Sequence, residues 1–598
     1  MLEKSDLAEN AVECLHNEQY DQPYNKQNLN HTNLLFTGGR DRESLSGEWR
    51  FTLDLHDTGL RQKWYLLEKN DAETRRDPYD YDPFAGDTVP VPGCWQMMKE
   101  KWFYYEGSAW YTRDIDYLKQ DADERIFLRI GAANYDCKVF VNHQFIGNHY
   151  GGSTPFCAEL TSVLLPGKNV VMLCVNNTRT TDRLPLRNND WFNYGGIYRE
   201  IDIIRTPQTY IRDLFVYLVP DGKYNKIAVR IAVEGDAREV NFSLAELGIS
   251  VTLPVVNGIA EANLSAEPQI WSPEHPKLYR VMASLGRDCV SDRVGFRQID
   301  VVGTDIRLNG KSLYLRGINC HEDDVLLGKM TNEADIRRRF HDAKELNCNY
   351  LRLAHYPHHE MVARIADEVG LLLWEEIPNY WAIDFKNPTT QRDAHNQLME
   401  LIYRDRNRAS VIIWSVGNEN ADTDERLDFM SMLIDAARKA DPSRLISAAC
   451  LVNHAKMKIE DRLADYLDII GLNEYYGWYE ENFDDLIVLG ENSSPTKPVV
   501  ITETGAEGVP GEHAPQSGPF SENYMADVYR KQTEYLPKLN YVRGFTPWLL
   551  YDYRTERRQN PYQKGFNCKG LITADKITRK KAFYVLRDFY QQLKNAGS

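Results

Sequence analysis

Two glutamates stand at the ends of apolar runs in the second half of the chain. Glu419 follows "VIIWSVGN", and Glu503 ends "VVITE". Short apolar runs of this kind are typical of fully buried strands. Each predicted strand therefore ends by placing a carboxylate at the edge of a sheet.

A pair of carboxylates suits glycoside hydrolysis, in which one group is the acid/base and the other attacks the sugar or activates water. Asn418, beside Glu419, could hydrogen-bond a sugar hydroxyl. The structural alternative is that each glutamate only pairs with a nearby arginine. Two carboxylates that both stand at strand ends favour the catalytic interpretation if the two strands belong to one sheet or barrel.

The elements that would position these glutamates alternate between strand-like and helical runs after residue 300. Helical segments such as 333–347 and 358–370 separate most of the strand candidates, and Gly370 is a plausible helix stop. Residues 301–598 have the usual size of a (β/α)8 barrel, so we predict a catalytic TIM barrel there. The eight strand candidates are "LYLRGIN", "YLRLAHYP", "LLLWEE", "VIIWSV", "LISAAC", "LDIIGLN", "PVVITET" and "VRGFTPW".

A doubly wound open sheet is the alternative fold for this region, but no Gly-rich fingerprint follows its first strand. In a TIM barrel, functional side chains lie at the C-terminal ends of the strands. Glu419 follows the fourth candidate strand and Glu503 ends the seventh, so both should face one mouth.

The other predicted strand ends carry polar and aromatic side chains, which together describe a sugar pocket. Taken singly, each residue is more often structural. We read Arg352 as the cation that holds the carboxylates in place, because a nearby positive charge favours their ionised forms. The candidates are His321, Arg352, His355, Glu375, Glu376, Asn473, Tyr475, Tyr479 and Trp548.

The first half of the chain predicts two all-β domains. Residues from about 45 to 205 show short apolar or alternating runs separated by Gly, Asn, Pro and Asp, which is a β-sandwich pattern. A second set of strand runs fills about 90 residues, the size of an immunoglobulin-like sandwich. We place a jelly-roll-like sandwich at 1–206, an immunoglobulin-like sandwich at 207–300 and the barrel at 301–598.

Composition excludes several classes of partner. The net charge of -16 argues against a nucleic-acid or anionic-membrane partner, but a locally basic pocket could still bind an anionic small substrate. The sequence has no run of about 18 apolar residues, which a membrane-spanning helix would need. The ten cysteines form no C-x-x-C pair, and residues 1–20 do not resemble a secretory signal. We therefore predict a soluble cytoplasmic protein.

Neither a metal nor an organic cofactor is predicted. "HYPHHE" contains three histidines, but no thiolate or matched carboxylate spacing accompanies them. "CHEDD" lacks the second histidine of a zinc helix. Ser415 does not lie in a nucleophile elbow, so a serine hydrolase is unsupported.

At these motifs the sequence resembles glycoside hydrolase family 2, which holds β-galactosidases, β-glucuronidases and β-mannosidases. The resemblance covers nearly the whole chain and rests on "GSAWYTRDI", "GGSTPF", "DWFNYGGIYREI", "NYLRLAHYP", "WSVGNEN" and "ITETG". It implies that the N-terminal sandwich is of the sugar-binding type. It also implies a retaining exo-β-glycosidase with Glu419 as acid/base and Glu503 as nucleophile, no required metal, and a homo-oligomer.

Two motifs depart from the family pattern. The nucleophile motif usually has an aromatic residue after the glutamate, where this chain has Thr504, so a neighbouring hydrogen bond is lost or replaced. The arginine motif usually has small polar residues before its histidine, where this chain has Leu353 and Ala354.

Three stretches resemble β-glucuronidases within the family. "DWFNYGGI" resembles the sandwich loop that reaches the active site through its aspartate, here Asp190, and "LNEYYGWY" resembles the motif at strand six. "FNCKG" matches the N-x-K-G pattern, in which Asn567 and Lys569 would bind the substrate carboxylate. A lysine ammonium and a carboxylate form a charge-assisted hydrogen bond, and Arg557 and Arg558 could add positive potential.

The resemblance therefore implies a β-glucuronidase that hydrolyses β-D-glucuronides to glucuronic acid and an aglycone. A β-galactosidase of the same family remains an alternative, because some galactosidase relatives carry similar N-x-K-G strings. A β-galacturonidase also remains, because galacturonides differ from glucuronides at only one stereocentre. A non-catalytic carbohydrate-binding protein on the same scaffold is disfavoured, because Glu419 and Glu503 are both present. In each case the partner is a small-molecule or oligosaccharide β-glycoside.

Overall fold

A computed structural model of the chain describes residue 24 and residues 27–68, 82–513 and 518–596. The segment at 1–20, on which the signal-sequence prediction rests, lies outside the described residues. The chain forms two compact units. One contains 41–178 and 195–207 with the described residues before 35, and the other contains 35–40, 179–194 and the described residues from 208 onward.

The first unit is a β-sandwich, as predicted. Trp49 and Phe51 lie two residues apart on one strand and are both buried in its core, since alternate side chains of a strand share one face. One sheet has the order Arg42–Ser44, Ile201–Pro207, Glu124–Ile130 and Phe156–Glu159. The other has the order Asp87–Val91, Gly47–Asp54, Ser108–Tyr117, Gly167–Asn176, Asp136–Val141 and Gln144–Tyr150.

The second unit begins with the predicted immunoglobulin-like sandwich. Its two antiparallel sheets share a core that includes Val229, Phe242 and Val281. The sheets contain Tyr210–Leu218, Lys226–Glu234 and Ile259–Ser265, and Ile249–Pro254, Glu239–Leu244, Tyr279–Leu285 and Asp288–Val294. A small antiparallel sheet of Ile299–Val302, Asp305–Leu308 and Lys311–Leu313 leads into the last domain.

The last domain is a closed barrel of eight parallel strands, so the predicted TIM barrel is confirmed. Each of the eight apolar runs in the sequence contributes one strand. In chain order the strands are Leu315–Cys320, Tyr350–Leu353, Leu372–Glu376, Val411–Asn418, Leu445–Cys450, Ile469–Asn473, Val499–Glu503 and Val542–Phe545. We refer to them below as barrel strands one to eight.

Helices pack around the barrel between most of its strands. Gly370 ends the second of them with a φ of 70°, a conformation that glycine adopts without steric cost. Between strands five and six the described chain forms only a short 3-10 helix, Arg462–Asp465. The α-helices are Glu333–Glu345, Glu360–Val369, Pro388–Asp405, Asp424–Ala440, Asp484–Asn492, Glu522–Tyr535 and Lys581–Asn595. Among the described residues, none of the helices combines the length and the apolar character that a membrane crossing requires.

Barrel strand four shows how the fold presents its functional end. All eight residues of Val411–Asn418 are buried, as expected for a strand covered on both faces. The pairing with strand five shifts register between Ser415 and Asn418, and Glu419 follows with a φ of 54°. Such irregularities at a strand end re-aim the next side chain, here the carboxylate of Glu419.

Candidate active site

Arg352 is the centre of the polar network at the mouth of the barrel. It lies on strand two and is fully buried. Its Nε and Nη2 donate to the two carboxylate oxygens of Glu376, each at 2.9 Å, and its Nη1 donates to Glu503 Oε1 at 2.8 Å. Nη2 also donates to Asn418 Oδ1 at 2.7 Å. One guanidinium therefore contacts side chains from strands three, four and seven.

Glu503 ends strand seven and is held at both oxygens. Oε1 accepts from Arg352, and Oε2 accepts from the hydroxyl of Tyr475 at 2.8 Å. His355 Nε2 lies 3.6 Å from Oε1. A buried carboxylate with a cation and a neutral donor on opposite oxygens is fixed in orientation, as an attacking group requires.

Glu419 has a different environment. The indole N–H of Trp381 donates to its Oε2 at 2.5 Å, but Arg352 makes no hydrogen bond to it. Burial, followed by the charge of Glu503, raises the pKa of Glu419 to about 7, against the weaker opposite effects of Asn473, Trp381 and Arg352. A carboxyl group with such a pKa can carry and release a proton near neutral pH.

His355 and Glu376 support the arginine from strands two and three. His355 Nδ1 lies 2.7 Å from Glu376 Oε1, and the indole N–H of Trp374 donates to Oε2 at 2.7 Å. Burial opposes ionisation of Glu376, but Arg352 and His355 overcome it and lower its pKa to about 2. Glu376 is therefore a permanent carboxylate that anchors the arginine.

Asn418 and Asn473 lie beside the two glutamates. Asn418 Oδ1 accepts from Arg352 and from Asn473 Nδ2, the latter at 3.2 Å. The Nδ2 of Asn418 is buried and has no partner among the described residues. An oriented amide with a spare donor can bind a sugar hydroxyl, which is the role predicted for it.

The predicted carboxylate-binding pair closes one end of the site. Lys569 is 1 % exposed, and its Nζ lies 2.8 Å from the Tyr479 hydroxyl and 3.4 Å from Glu507 Oε1. Asn567 Oδ1 accepts from the backbone N–H of Lys569 at 3.1 Å. The contact with Glu507 fits the alternative interpretation, in which Lys569 has only a structural role as one half of an ion pair.

Asp190 reaches the same end of the site from a distant part of the sequence. Its Oδ2 accepts from Arg558 Nη2 at 2.5 Å and from Asn567 Nδ2 at 3.5 Å, and the Thr555 hydroxyl donates to Oδ1 at 2.9 Å. The charge of Arg558 is thus largely balanced by Asp190. Arg557 lies over the ring of Trp381, with its Cζ 4.7 Å from the ring centroid.

Aromatic rings complete the floor of the mouth. Trp548 stacks on His355 with a centroid distance of 4.8 Å, and His321 stacks on Tyr553 at 4.2 Å. Burial, followed by nearby positive groups, lowers the pKa of His321 well below its ordinary value, so its imidazole is neutral. His321 Nδ1 lies 3.0 Å from the Tyr356 hydroxyl.

A cavity of about 250 Å³ lies at this mouth, within the second unit. Of the predicted site residues, Arg352, His355, His321 and Asn418 support its wall without lining it. Nine others line it: Asp190, Glu419, Asn473, Tyr475, Tyr479, Glu503, Trp548, Asn567 and Lys569. The fold therefore brings the two glutamates and the predicted carboxylate-binding pair into one space.

Several residues of the site were missed by sequence reasoning. Trp381 and Tyr380 come from the irregular segment after strand three, and Trp191 packs edge-on against Tyr380 at 5.0 Å. Glu474, one residue past strand six, also lines the cavity, and burial raises its pKa to about 7. "DWFNYGGI" and "LNEYYGWY" contain Trp191 and Glu474, so those motifs were the available signal.

Thr504, the departure from the family pattern, is fully buried. Thr504 opposes the larger effect of burial on the pKa of the Glu474 carboxyl, but its Oγ1 has no hydrogen-bond partner among the described residues. The Gln532 side chain donates to the same carboxyl at 3.1 Å. Gln532, and not Thr504, therefore supplies the side-chain hydrogen bond to Glu474.

The histidines of "HYPHHE" have separate contacts. His355 contacts Glu376, His358 Nε2 lies 3.0 Å from Ala354 O, and His359 Nδ1 caps a helix by accepting from Met361 N at 3.1 Å. Across the part of the chain that the structure describes, the one group with metal-ligand spacing is His341, Asp342 and Glu345, on the helix Glu333–Glu345.

A closed barrel with two buried carboxylates, an arginine and a ring of aromatic groups at the C-terminal ends of its strands defines a glycoside hydrolase. The sequence matches three domains of one family. Residues 299–595 match the TIM barrel domain of glycosyl hydrolases family 2, residues 42–207 match its sugar binding domain, and residues 209–297 match the domain between them. The chain belongs to glycosyl hydrolase family 2.

Known relatives of the chain include uronidases. It is 28 % identical to a β-glucuronidase of Paenibacillus borealis, over 91 % of this chain and 96 % of the relative. A crystal structure of a GH2 β-galacturonidase from Eisenbergiella tayi bound to galacturonate has a TM-score of 0.79 at 26 % identity, covering 92 % of this chain and 97 % of that one. The β-glucuronidase of Ruminococcus gnavus has a TM-score of 0.81 at 26 % identity, covering 94 % and 100 %.

Proposed function

We propose that the protein is a retaining exo-β-glycosidase that hydrolyses β-D-glucuronides to glucuronic acid and an aglycone. The observation that carries the substrate class is Lys569, a buried ammonium in the same cavity as Glu419 and Glu503. An ammonium has three donors. Two of them have partners at Tyr479 and Glu507, which leaves one for a substrate carboxylate.

The environments of the two glutamates support their separate roles. Glu503, held by Arg352 and Tyr475, attacks the anomeric carbon and forms a glycosyl ester. Glu419 gives its proton to the glycosidic oxygen, which leaves with the electron pair of the broken carbon–oxygen bond. Glu419 then takes a proton from water, whose oxygen displaces Glu503 and releases the sugar.

The remaining predicted residues surround the sugar. Asn418 offers its Nδ2, which has no partner among the described residues, to a ring hydroxyl, and Asn473 orients Asn418. Trp548 and His355 form a stacked apolar wall, and the neutral His321 lies behind it. Asn567 and Tyr479 assist Lys569 at the carboxylate, and Asp190 positions Asn567 and Arg558.

A β-galacturonidase is the second candidate, because glucuronides and galacturonides share the carboxylate that Lys569 would bind. The likeness to the galacturonidase structure from Eisenbergiella tayi supports it as strongly as the likeness to the glucuronidases supports the first candidate.

The deciding experiment is a comparison of initial rates on matched aryl β-D-glucuronide, β-D-galacturonide and β-D-galactoside, with Glu503→Gln as the blank. We expect uronide hydrolysis, and we expect Lys569→Met to lower kcat/KM on uronides by roughly 100-fold or more, because it leaves the substrate carboxylate unpaired in a buried site. Lys564→Met, five residues earlier and exposed, is the matched control. A galactoside rate above the uronide rates, with Lys569→Met unchanged, would refute the proposal.

The domain boundaries at 206 and 300, the homo-oligomer and the cytoplasmic location also stay proposals. The nine described cysteines are all free, which supports a reducing compartment. Size-exclusion chromatography with light scattering would test the oligomer directly.

A further inference from the structure

Two residues at the barrel mouth share an uncommon backbone conformation and touch each other. Trp381 has a φ of 55° and Glu419 a φ of 54°, in the left-handed region that bulky residues rarely adopt. Their side chains meet where the indole N–H donates to Glu419 Oε2 at 2.5 Å. Such conformations persist only where the surrounding structure enforces them, and they cluster at functional sites.

The neighbours of Glu419 in the sequence hold the backbone of Trp381 in place. Its backbone N–H donates to Asn418 O at 2.9 Å, and its carbonyl accepts from Asn420 Nδ2 at 2.6 Å. Asn418 and Asn420 thus hold the backbone of Trp381, whose side chain contacts the glutamate between them.

The indole ring of Trp381 is held as well. The ring of Tyr380 stacks on it at a centroid distance of 4.5 Å, and the guanidinium of Arg557 lies over it at 4.7 Å. A cation over an indole adds electrostatic attraction to the packing. Backbone and ring contacts together leave the N–H little freedom to point elsewhere.

We propose that Trp381 is a positioning residue for proton transfer, in that it decides which oxygen of Glu419 carries the proton, and that Arg557 holds its indole ring. The proposal rests on the assignment of Glu419 as the acid/base. An oxygen that accepts an N–H hydrogen bond is the poorer site for a proton, so Oε2 stays unprotonated and the proton lies on Oε1.

In the first step the proton moves from Oε1 to the glycosidic oxygen as the carbon–oxygen bond breaks and the Glu503 ester forms. Glu419 is then a carboxylate, and the bond from Trp381 becomes charge-assisted and stronger. The contact therefore stabilises the state after proton transfer more than the state before it, which is the requirement for an effect on rate.

Other groups also act on Glu419. Glu503 disfavours its ionised form and Arg352 favours it. Tyr380 and Tyr475, from the segments that follow strands three and six, also interact electrostatically with it. The side chains of Asn473 and Trp381 both lower its pKa. The indole N–H of Trp381 donates to Oε2, whereas Asn473 Nδ2 donates to Asn418 Oδ1. Removing the indole donor alone should therefore raise the pKa of the acid/base and leave the other contacts in place.

The test is Trp381→Phe, which keeps an aromatic ring for Tyr380 and Arg557 but has no N–H. It is assayed on aryl and alkyl β-uronides of graded leaving-group acidity. A hydrogen bond to a charged group contributes enough for a loss of roughly 10- to 100-fold in kcat/KM on an alkyl uronide. On a dinitrophenyl uronide, whose leaving group needs no proton, we expect a loss of less than about 3-fold.

The pH profile gives the second readout. The alkaline limb of kcat/KM, where Glu419 loses its proton, should move to higher pH in Trp381→Phe. Trp381→His keeps an N–H donor and should recover part of the loss, and Arg557→Met should show a smaller loss with the same dependence on the leaving group. These two variants also cover the case in which Trp381→Phe does not fold, which circular dichroism would detect.

Equal losses on alkyl and dinitrophenyl uronides, or an alkaline limb that does not move, would overturn the positioning role. Assays of the parent protein and of Glu419→Gln distinguish this outcome from a failure of the proposed function. If it hydrolyses none of the uronides, the substrate assignment is wrong. If it hydrolyses them but Glu419→Gln shows no dependence on leaving-group acidity beyond that of the parent, the acid/base assignment is wrong.

Discussion

Replacing Glu419 with Gln is expected to stabilise the folded chain at alkaline pH while it removes general acid–base catalysis. Burial and the charge of Glu503 raise the pKa of Glu419 from its ordinary 4.5 to about 7. Between these values the native state keeps a proton that the unfolded chain has released. The free energy of unfolding contributed by Glu419 therefore falls as the pH rises through this window.

The size of the effect follows from the width of the window. At about 1.4 kcal/mol per pH unit, ionising Glu419 in the native state costs about 3 kcal/mol once the pH is above 7. A neutral amide keeps an acceptor for the Trp381 N–H and carries no such cost. At about 2 °C per kcal/mol for a domain of this size, Glu419→Gln should melt about 6 °C higher at pH 8. Near pH 4.5 the difference should nearly vanish.

Thermal melts of both proteins from pH 4.5 to 8 measure this difference, and steady-state kinetics at the same pH values measure the loss of activity. Glu481→Gln is the control, because Glu481 is exposed and surface substitutions usually change stability by less than about 0.5 kcal/mol. A melting difference that is constant across the pH range, or that favours the parent at pH 8, would refute the pKa argument.

Three further outcomes are expected. Arg352→Leu should lower the free energy of unfolding by about 3–5 kcal/mol, because it leaves the buried carboxylate of Glu376 without its cation. Adding Glu376→Leu should restore part of the melting temperature, and a double variant whose loss equals the sum of the two single losses would contradict this. Tyr475→Phe removes the hydroxyl that donates to Glu503 and should lower kcat/KM roughly 10-fold in steady-state assays. Dialysis against a chelator should leave the rate unchanged; a loss that Mg²⁺ or Zn²⁺ restores would show that a metal takes part.

The barrel could be predicted because its strands are buried on both faces. Runs such as Val411–Asn418 and Val499–Glu503 are mostly apolar, with one hydroxyl side chain each, Ser415 and Thr502, and the first amide or charged side chain marks the strand end. The C-terminal ends of all eight barrel strands lie at one mouth, so the position of each glutamate at the end of its strand was enough to place it there. The interior contacts of Arg352 were also foreseeable, because a buried cation next to strand-end carboxylates has few other partners.

The contacts of Trp381 could not be predicted in the same way. Its segment, "IPNYWAIDF", has no strand or helix periodicity, and its ring position depends on a left-handed backbone and on Arg557, far along the chain. The sequence also suggested that Arg558 adds positive potential, but the structure pairs it with Asp190. Both features depend on which loops meet in space, which local sequence patterns do not encode.

The network at the mouth also distinguishes Glu376 from Glu419 as groups for proton transfer. "WEE" places Glu376 at the mouth as well as Glu419, so strand position alone does not separate them. Arg352 gives two hydrogen bonds to Glu376 and none to Glu419, and the pKa of the first is about 2 and that of the second about 7. Because a general acid must hold a proton near neutral pH, these contacts favour Glu419 over Glu376 for the proposed acid role, with Glu376 as the fixed counter-charge of Arg352.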